Sequence, residues 1–212
     1  MGESIALTLE DVLARAEASL ASDVEIAEWE REQASRTRHE LLTLSGIGDA
    51  LSQVGADAIV RDRPSETHCL RLVRSWLASR RPVLALFGGV GVGKTVAAAW
   101  ALARTPGRYV RAHDLTRMRR GDFGQPDPDY WRHVRGELLV IDELGTEENA
   151  EHAGATLWDA LDRRLRLPRR TLLLGNLDRQ TLETRYDGRT LSRLREVAVL
   201  RAVRGADMRG AA

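Results

Sequence analysis

Val83-Leu84-Ala85-Leu86-Phe87-Gly88-Gly89-Val90-Gly91-Val92-Gly93-Lys94-Thr95-Val96-Ala97-Ala98-Ala99 is the stretch on which the fold turns. An apolar run ends in a glycine-rich turn, and the turn opens directly into a helix-forming segment, so the order is strand, loop, helix. Gly88 to Thr95 satisfies Gly-x-x-x-x-Gly-Lys-Thr. Glycines let successive backbone N–H groups turn inward around a polyphosphate, and the helix N-terminus that follows adds positive potential. A lysine ammonium inside the loop bridges β- and γ-phosphates, and the adjoining threonine hydroxyl is placed for Mg2+. The expected nucleotide contacts are Gly88, Gly89, Val90, Gly91, Val92, Gly93, Lys94, Thr95 and Val96.

Lys94 is also the only lysine among 32 basic residues; the other 31 are arginine. Compositional bias accounts for the arginines as a group. The exception has a chemical reason, because a planar guanidinium is too long for a place that wants a compact ammonium.

With 212 residues, 43% hydrophobic and 30% charged, the chain suits one globular domain and a short appendage. Residues 1 to 60 carry 12 acids and 4 arginines, a net of −8, while residues 61 to 212 carry 19 acids and 28 bases, a net of +9. That asymmetry fits either an acidic arm on a body that meets a polyanion or a solvated helix before an arginine-rich domain. A single cysteine, Cys69, excludes an internal disulfide framework and a cysteine-built zinc site, and is expected half-buried on a helix. No apolar stretch approaches the ~18 to 20 residues that span a bilayer, and the N-terminus lacks a basic region followed by an apolar one, so a cytoplasmic protein is expected.

Outward from the loop, short apolar runs recur at Tyr109–Ala112, Leu138–Ile141, Thr171–Leu174 and Val197–Leu200, separated by segments long enough for crossover helices. Together with Val83–Phe87 they predict an α/β fold with about five parallel strands covered by helices. Upstream, residues 7 to 44 have helical periodicity, with Leu9, Leu13, Ala16 and Leu20 on one face and Thr8 as a cap. That face either lies in a groove on a partner or packs on the chain's own body. Breaks at Ser45-Gly46-Ile47-Gly48 and Arg61-Asp62-Arg63-Pro64 set an acidic helical segment, 1–45, before a core, 46–212.

Three further blocks carry chemistry. Leu138-Leu139-Val140-Ile141-Asp142-Glu143 is a buried strand tipped by two carboxylates, which are costly there unless positive charge meets them. Asp142 is placed to hold Mg2+ and Glu143 to polarise an attacking water, which makes ATP hydrolysis the expected chemistry. Asn176 follows the apolar run Thr171–Leu174, on the face where open α/β sheets bind ligands. Arg189 and Arg193, in Gly188-Arg189-Thr190-Leu191-Ser192-Arg193-Leu194, form either an exposed basic face or a charge inserted into a neighbouring subunit's site. Arg117, Arg119 and Arg120 are candidate DNA contacts, and Tyr130 and Trp131 either stack on bases or pack in the core.

In this order the blocks resemble the AAA+ ATPases, and within them the helicase-loader group typified by DnaC and DnaI, with the transposition helper IstB as a close relative. The resemblance covers residues 45 to 212 and includes Tyr109–Leu115 and the closing Gly205-Ala206-Asp207-Met208-Arg209. It implies that Lys94 and Thr95 are the Walker A residues, Asp142 and Glu143 the Walker B pair, Asn176 the first sensor, and Arg193 the arginine finger beside Arg189. It implies no C-terminal helical lid. Gly175 departs from the group, which usually has Ser or Thr before the sensor. The partners implied are ATP with Mg2+, a DnaB-type helicase, single-stranded DNA and further copies of the chain; a transposase replaces the helicase in the IstB-like alternative, and a nucleotide-gated adaptor with little hydrolysis is a third reading.

Overall fold

The computed structural model describes residues 9–51, 53–121 and 125–205. Thr8, residues 206–209 and the side chains at Leu9, Leu13, Ala16 and Leu20 lie outside the described residues. The elements run α1 (Leu9–Ser45), a 3-10 turn (Gly48–Ala50), α2 (Gln53–Val60), α3 (His68–Leu77), β1 (Val83–Gly88), α4 (Lys94–Leu102), β2 (Gly107–Arg111), α5 (Ala112–Arg120) and α6 (Pro128–Val134). They continue with β3 (Leu138–Leu144), α7 (Ala150–Leu165), β4 (Arg170–Gly175), α8 (Arg179–Arg185), α9 (Gly188–Val197) and β5 (Ala198–Val203).

Two units result, Met1–Thr37 and Arg38–Ala212. The first comprises most of α1, where Glu32 and Arg36 pair one turn apart at 3.4 Å and Ile26 and Trp29 are exposed. The second holds the sheet, and the last turns of α1 belong to it: Leu42 and Ser45 are buried there, with Ile47 and Ile59 of the following segment. Among the described residues no helix is long and apolar enough to cross a membrane.

The five strands are parallel in the order β2-β3-β4-β1-β5. Strand alternation sorts their side chains into two layers. Leu84, Leu86, Leu138, Val140, Leu172 and Leu174 face one layer with α2, α3 and α4. Val83, Ala85, Phe87, Leu139, Ile141 and Leu173 face the other with α5, α6, α7 and α9. Both faces being covered, the strands read as continuous apolar runs rather than alternating ones. Local capping starts the helices: Thr67, Asp127, Asn149, Asp178 and Asp187 each accept a backbone N–H from the first turn that follows.

This topology positions the site. β1 lies between β4 and β5, and β4 lies between β1 and β3, so the residues following β1, β3 and β4 emerge side by side at one end of the sheet.

Candidate nucleotide site

The loop between β1 and α4 closes as its glycines permit. Gly91 (φ +77°) and Gly93 (φ +88°) occupy left-handed conformations that side chains disfavour. α4 then begins at Lys94 with no side-chain cap, leaving its first N–H groups directed at the loop. An uncapped helix end after a glycine-rich turn suits a polyphosphate.

Lys94 is buried, and its ammonium donates to Gly88 O at 2.8 Å, Gly89 O at 2.7 Å and Asn176 Oδ1 at 2.8 Å. Thr95 and Asp142 meet as well: the Thr95 hydroxyl donates to Asp142 Oδ2 at 3.1 Å. Tyr109, on the neighbouring β2, donates its hydroxyl to the same oxygen at 3.1 Å, and the Glu143 N–H donates to Oδ1 at 2.7 Å. These donors offset the cost of burying the Asp142 carboxylate. Burial first, and then the Asp142 charge, push the Tyr109 hydroxyl well above the usual tyrosine range, which keeps it a donor.

Glu143 adopts φ +57°, and the β3–β4 register shifts between Ile141 and Leu144. The irregularity turns the Glu143 carboxylate out of the sheet, 45% exposed and 3.6 Å from Arg111 Nε. The structure thus brings Lys94 together with the loop and Asn176, and Thr95 with Asp142, with Glu143 next in the chain. Among the described residues no three His, Cys, Asp or Glu side chains form a metal cluster. The Thr95–Asp142 pair suits Mg2+, which keeps several waters and takes oxygens from phosphate.

Arg189 and Arg193 are not part of this cluster. Arg189 lies over the Trp158 ring at 4.0 Å, and Arg193 pairs with Asp162 at 3.3 Å and Glu196 at 3.0 Å. At the end of α5, Arg117 pairs with Asp114 at 3.5 Å and Arg119 with Asp159 at 3.4 Å; Arg120 is exposed. Tyr130 is a core residue, fully buried and donating to Asp159 at 2.6 Å, whereas Trp131 is half-buried.

Sequence reasoning missed three contributors. Tyr109 reads as a strand residue, and only the β2–β3 pairing reveals its hydroxyl against Asp142. Arg111, one strand away from Glu143, is hidden among many arginines. Cys69 is fully buried rather than half-buried, and its thiol donates to Val92 O of the loop at 3.2 Å, with burial pushing its pKa up to about 11.

A glycine-rich loop follows β1 and a carboxylate-tipped β3 lies on the same parallel sheet, and the fold is that of the AAA+ proteins. The chain is similar to DnaI, at 22% identity over 80% of this chain and 93% of that one, with a TM-score of 0.54. It is similar to the DnaC helicase loader at 18% identity over 76% and 97%, with a TM-score of 0.52. Replication initiator DnaA bound to AMPPCP and single-stranded DNA aligns at 20% identity over 64% of this chain and 45% of that one, with a TM-score of 0.53. No protein-family model matches the sequence, and no curated protein matches it. The likeness at these identities is one of fold.

Proposed function

We propose that this chain is an ATPase that loads a DnaB-type replicative helicase, working in an ATP-dependent assembly of its own copies on single-stranded DNA. The observation that carries the reading is the convergence of Lys94, Thr95, Asp142 and Asn176 within hydrogen-bond distance at the carboxyl ends of β1, β3 and β4. Likeness in fold to DnaI and DnaC across nearly their whole lengths supports the loading role.

In this reading the loop amides and Lys94 hold the β- and γ-phosphates of ATP. Thr95 and Asp142 would hold Mg2+, which when bound would supply positive charge to the phosphoryl oxygens. Glu143 orients and polarises the water, and Asn176 spans between lysine, γ-phosphate and water. Arg193, with Arg189 beside it, comes from a neighbouring copy to stabilise the transferred phosphoryl group. Arg193 must leave Asp162 and Glu196 to do so. Residues 1–45 form the arm for the protein partner, 46–212 the ATPase core, and Arg117, Arg119 and Arg120 contact DNA.

Phosphate release with and without single-stranded DNA, alongside mass in ATP and in ADP, tests the reading. Turnover that rises on DNA and a larger mass in ATP are expected. Absence of both overturns it. Capture on the full-length Glu143→Gln variant, which is expected to retain ATP, separates the partners: a helicase supports loading, and a transposase without helicase replaces it with an IstB-like role.

A further inference from the structure

A second constellation lies away from the nucleotide site. Lys94, Glu143 and Asn176 sit at the carboxyl ends of their strands, whereas Arg135 precedes β3 and Arg169 precedes β4, which places these two at the opposite end of the parallel sheet. A groove of about 560 Å3 opens there, lined by Trp131, Trp158, Arg135, Arg163, Arg166 and Arg169.

Charge in the groove is layered. The lining carboxylates Asp159 and Asp162 lie low, with side chains 14% and 19% exposed, while Arg163 and Arg166, which pair with them, are 46% and 75% exposed. Each carboxylate is also shared, Asp159 with Arg119 and the Tyr130 hydroxyl, and Asp162 with Arg193. Arg135 and Arg169 have no carboxylate partner among the described residues. Four lining arginines against two lining carboxylates, with the guanidinium groups outermost, present positive charge to anything that enters.

The groove also has flat apolar surfaces. Arg163 lies over Trp131 at 4.7 Å and Arg189 over Trp158 at 4.0 Å. Guanidinium–indole stacks offer a nucleobase a planar platform, and the N–H edges stay available for phosphate. Arg119 reaches Asp159 from α5, so the basic end of that helix is continuous with the groove.

We propose that this groove binds a single-stranded polynucleotide, with bases against the Trp131 and Trp158 stacks and phosphates on Arg135, Arg163, Arg166 and Arg169. A duplex hides its base faces from such platforms, and an acidic peptide without aromatic side chains has arginine contacts to make but no plane to lay on the stacks. The ligand class rests on the proposed DNA-binding function; the groove lies apart from the ATP site of its own copy, and the platform described is that of a copy whose Arg189 and Arg193 still hold Trp158 and Asp162.

Fluorescence anisotropy with a labelled oligo(dT) and the full-length protein tests it. Wild type is expected to bind, with affinity falling as salt rises. Arg135→Glu combined with Arg169→Glu, both outside the catalytic cluster, is expected to weaken binding about tenfold or more, with ATPase without DNA and the circular dichroism spectrum unchanged. Trp158→Phe is expected to weaken binding severalfold without altering its salt slope. If the wild type binds and the double variant binds equally well, the groove is not the site. If the wild type binds no oligonucleotide with or without ATP, the DNA-binding function itself falls, and the groove assignment with it. Displacement of oligo(dT) by polyglutamate at equal charge concentration would overturn the proposal in favour of an acidic protein partner.

Discussion

Lys94 Nζ stands 2.8 Å from Asn176 Oδ1, joining the start of α4 to the residue that follows β4 across 82 positions of chain. The ammonium is held by two loop carbonyls as well, so it is oriented toward the phosphate loop before any ligand arrives. Pre-set groups of this kind cost little reorganisation when charge develops. Lys94→Ala is expected to abolish binding of a fluorescent ATP analogue. Asn176→Ala is expected to bind it with little change while phosphate release falls about a hundredfold, the scale of losing one oriented polar contact to a transition state. Equal loss of binding in both variants would make Asn176 a lysine-positioning group alone.

The intersubunit role of Arg193 has its own test. Arg193→Ala and Glu143→Gln are each expected to bind ATP without turnover. Mixed in equal amounts, they rebuild sites that combine an intact Glu143 from one copy with an intact Arg193 from the next. Random association gives about a quarter of wild-type activity, because one interface in four has the productive pairing. A mixture as inactive as its components would place Arg193 outside the reaction.

All three tyrosines, Tyr109, Tyr130 and Tyr186, have hydroxyls donating to carboxylates and pushed upward, first by burial and then by those carboxylates. A folded pKa above the unfolded value means that stability is fully present below about pH 10, the ordinary tyrosine value, and is lost as pH climbs toward the folded values. Absorbance at 295 nm should therefore stay flat until alkaline unfolding and then rise together with the loss of circular dichroism. A smooth titration centred near pH 10 in folded protein would contradict the burial of all three.

Arg164 is 1% exposed, and it caps a cluster of carbonyls. Its guanidinium donates to Thr171 Oγ1 at 2.9 Å, Val134 O at 2.8 Å, Gly136 O at 2.7 Å and Glu137 O at 3.0 Å, and also to Arg170 O. These groups lie at the end of α6, in the turn that leads into β3, and at the start of β4. Arg164→Met would strand several buried acceptors and is expected to cost about 3 kcal/mol or more in urea unfolding. Arg163→Met, one residue away with a side chain 46% exposed, is expected to cost under about 1 kcal/mol.

Much of this was legible in the sequence, for reasons that differ between residues. The loop and the strand tips could be found because their chemistry tolerates few residue types at fixed spacing. Arg164 was legible in principle, since it shares the face of Leu157, Ala160 and Leu161 on α7, but one arginine among many carries no mark of its own. Gly175 reads as a departure from the loader pattern and has a packing cause: a Cβ there would lie 3.0 Å from Leu144 O and 3.2 Å from Phe87. α2 went unseen because Gly46, Gly48 and Pro64 punctuate its surroundings so strongly that Ile47 and Ile59 read as linker rather than core. The Tyr109–Asp142 and Arg111–Glu143 pairs depend on strand order, which local pattern does not encode.

Glu143 is one of two non-glycine residues with positive φ among those described. An L side chain there holds a conformation that costs of the order of 1 kcal/mol or more. Asparagine or glycine would sit more comfortably in that backbone and would lack the carboxylate. On the proposed role of Glu143, a lineage selected for heat resistance would be drawn toward replacing it, and its sturdiest members would bind nucleotide and fail to turn it over.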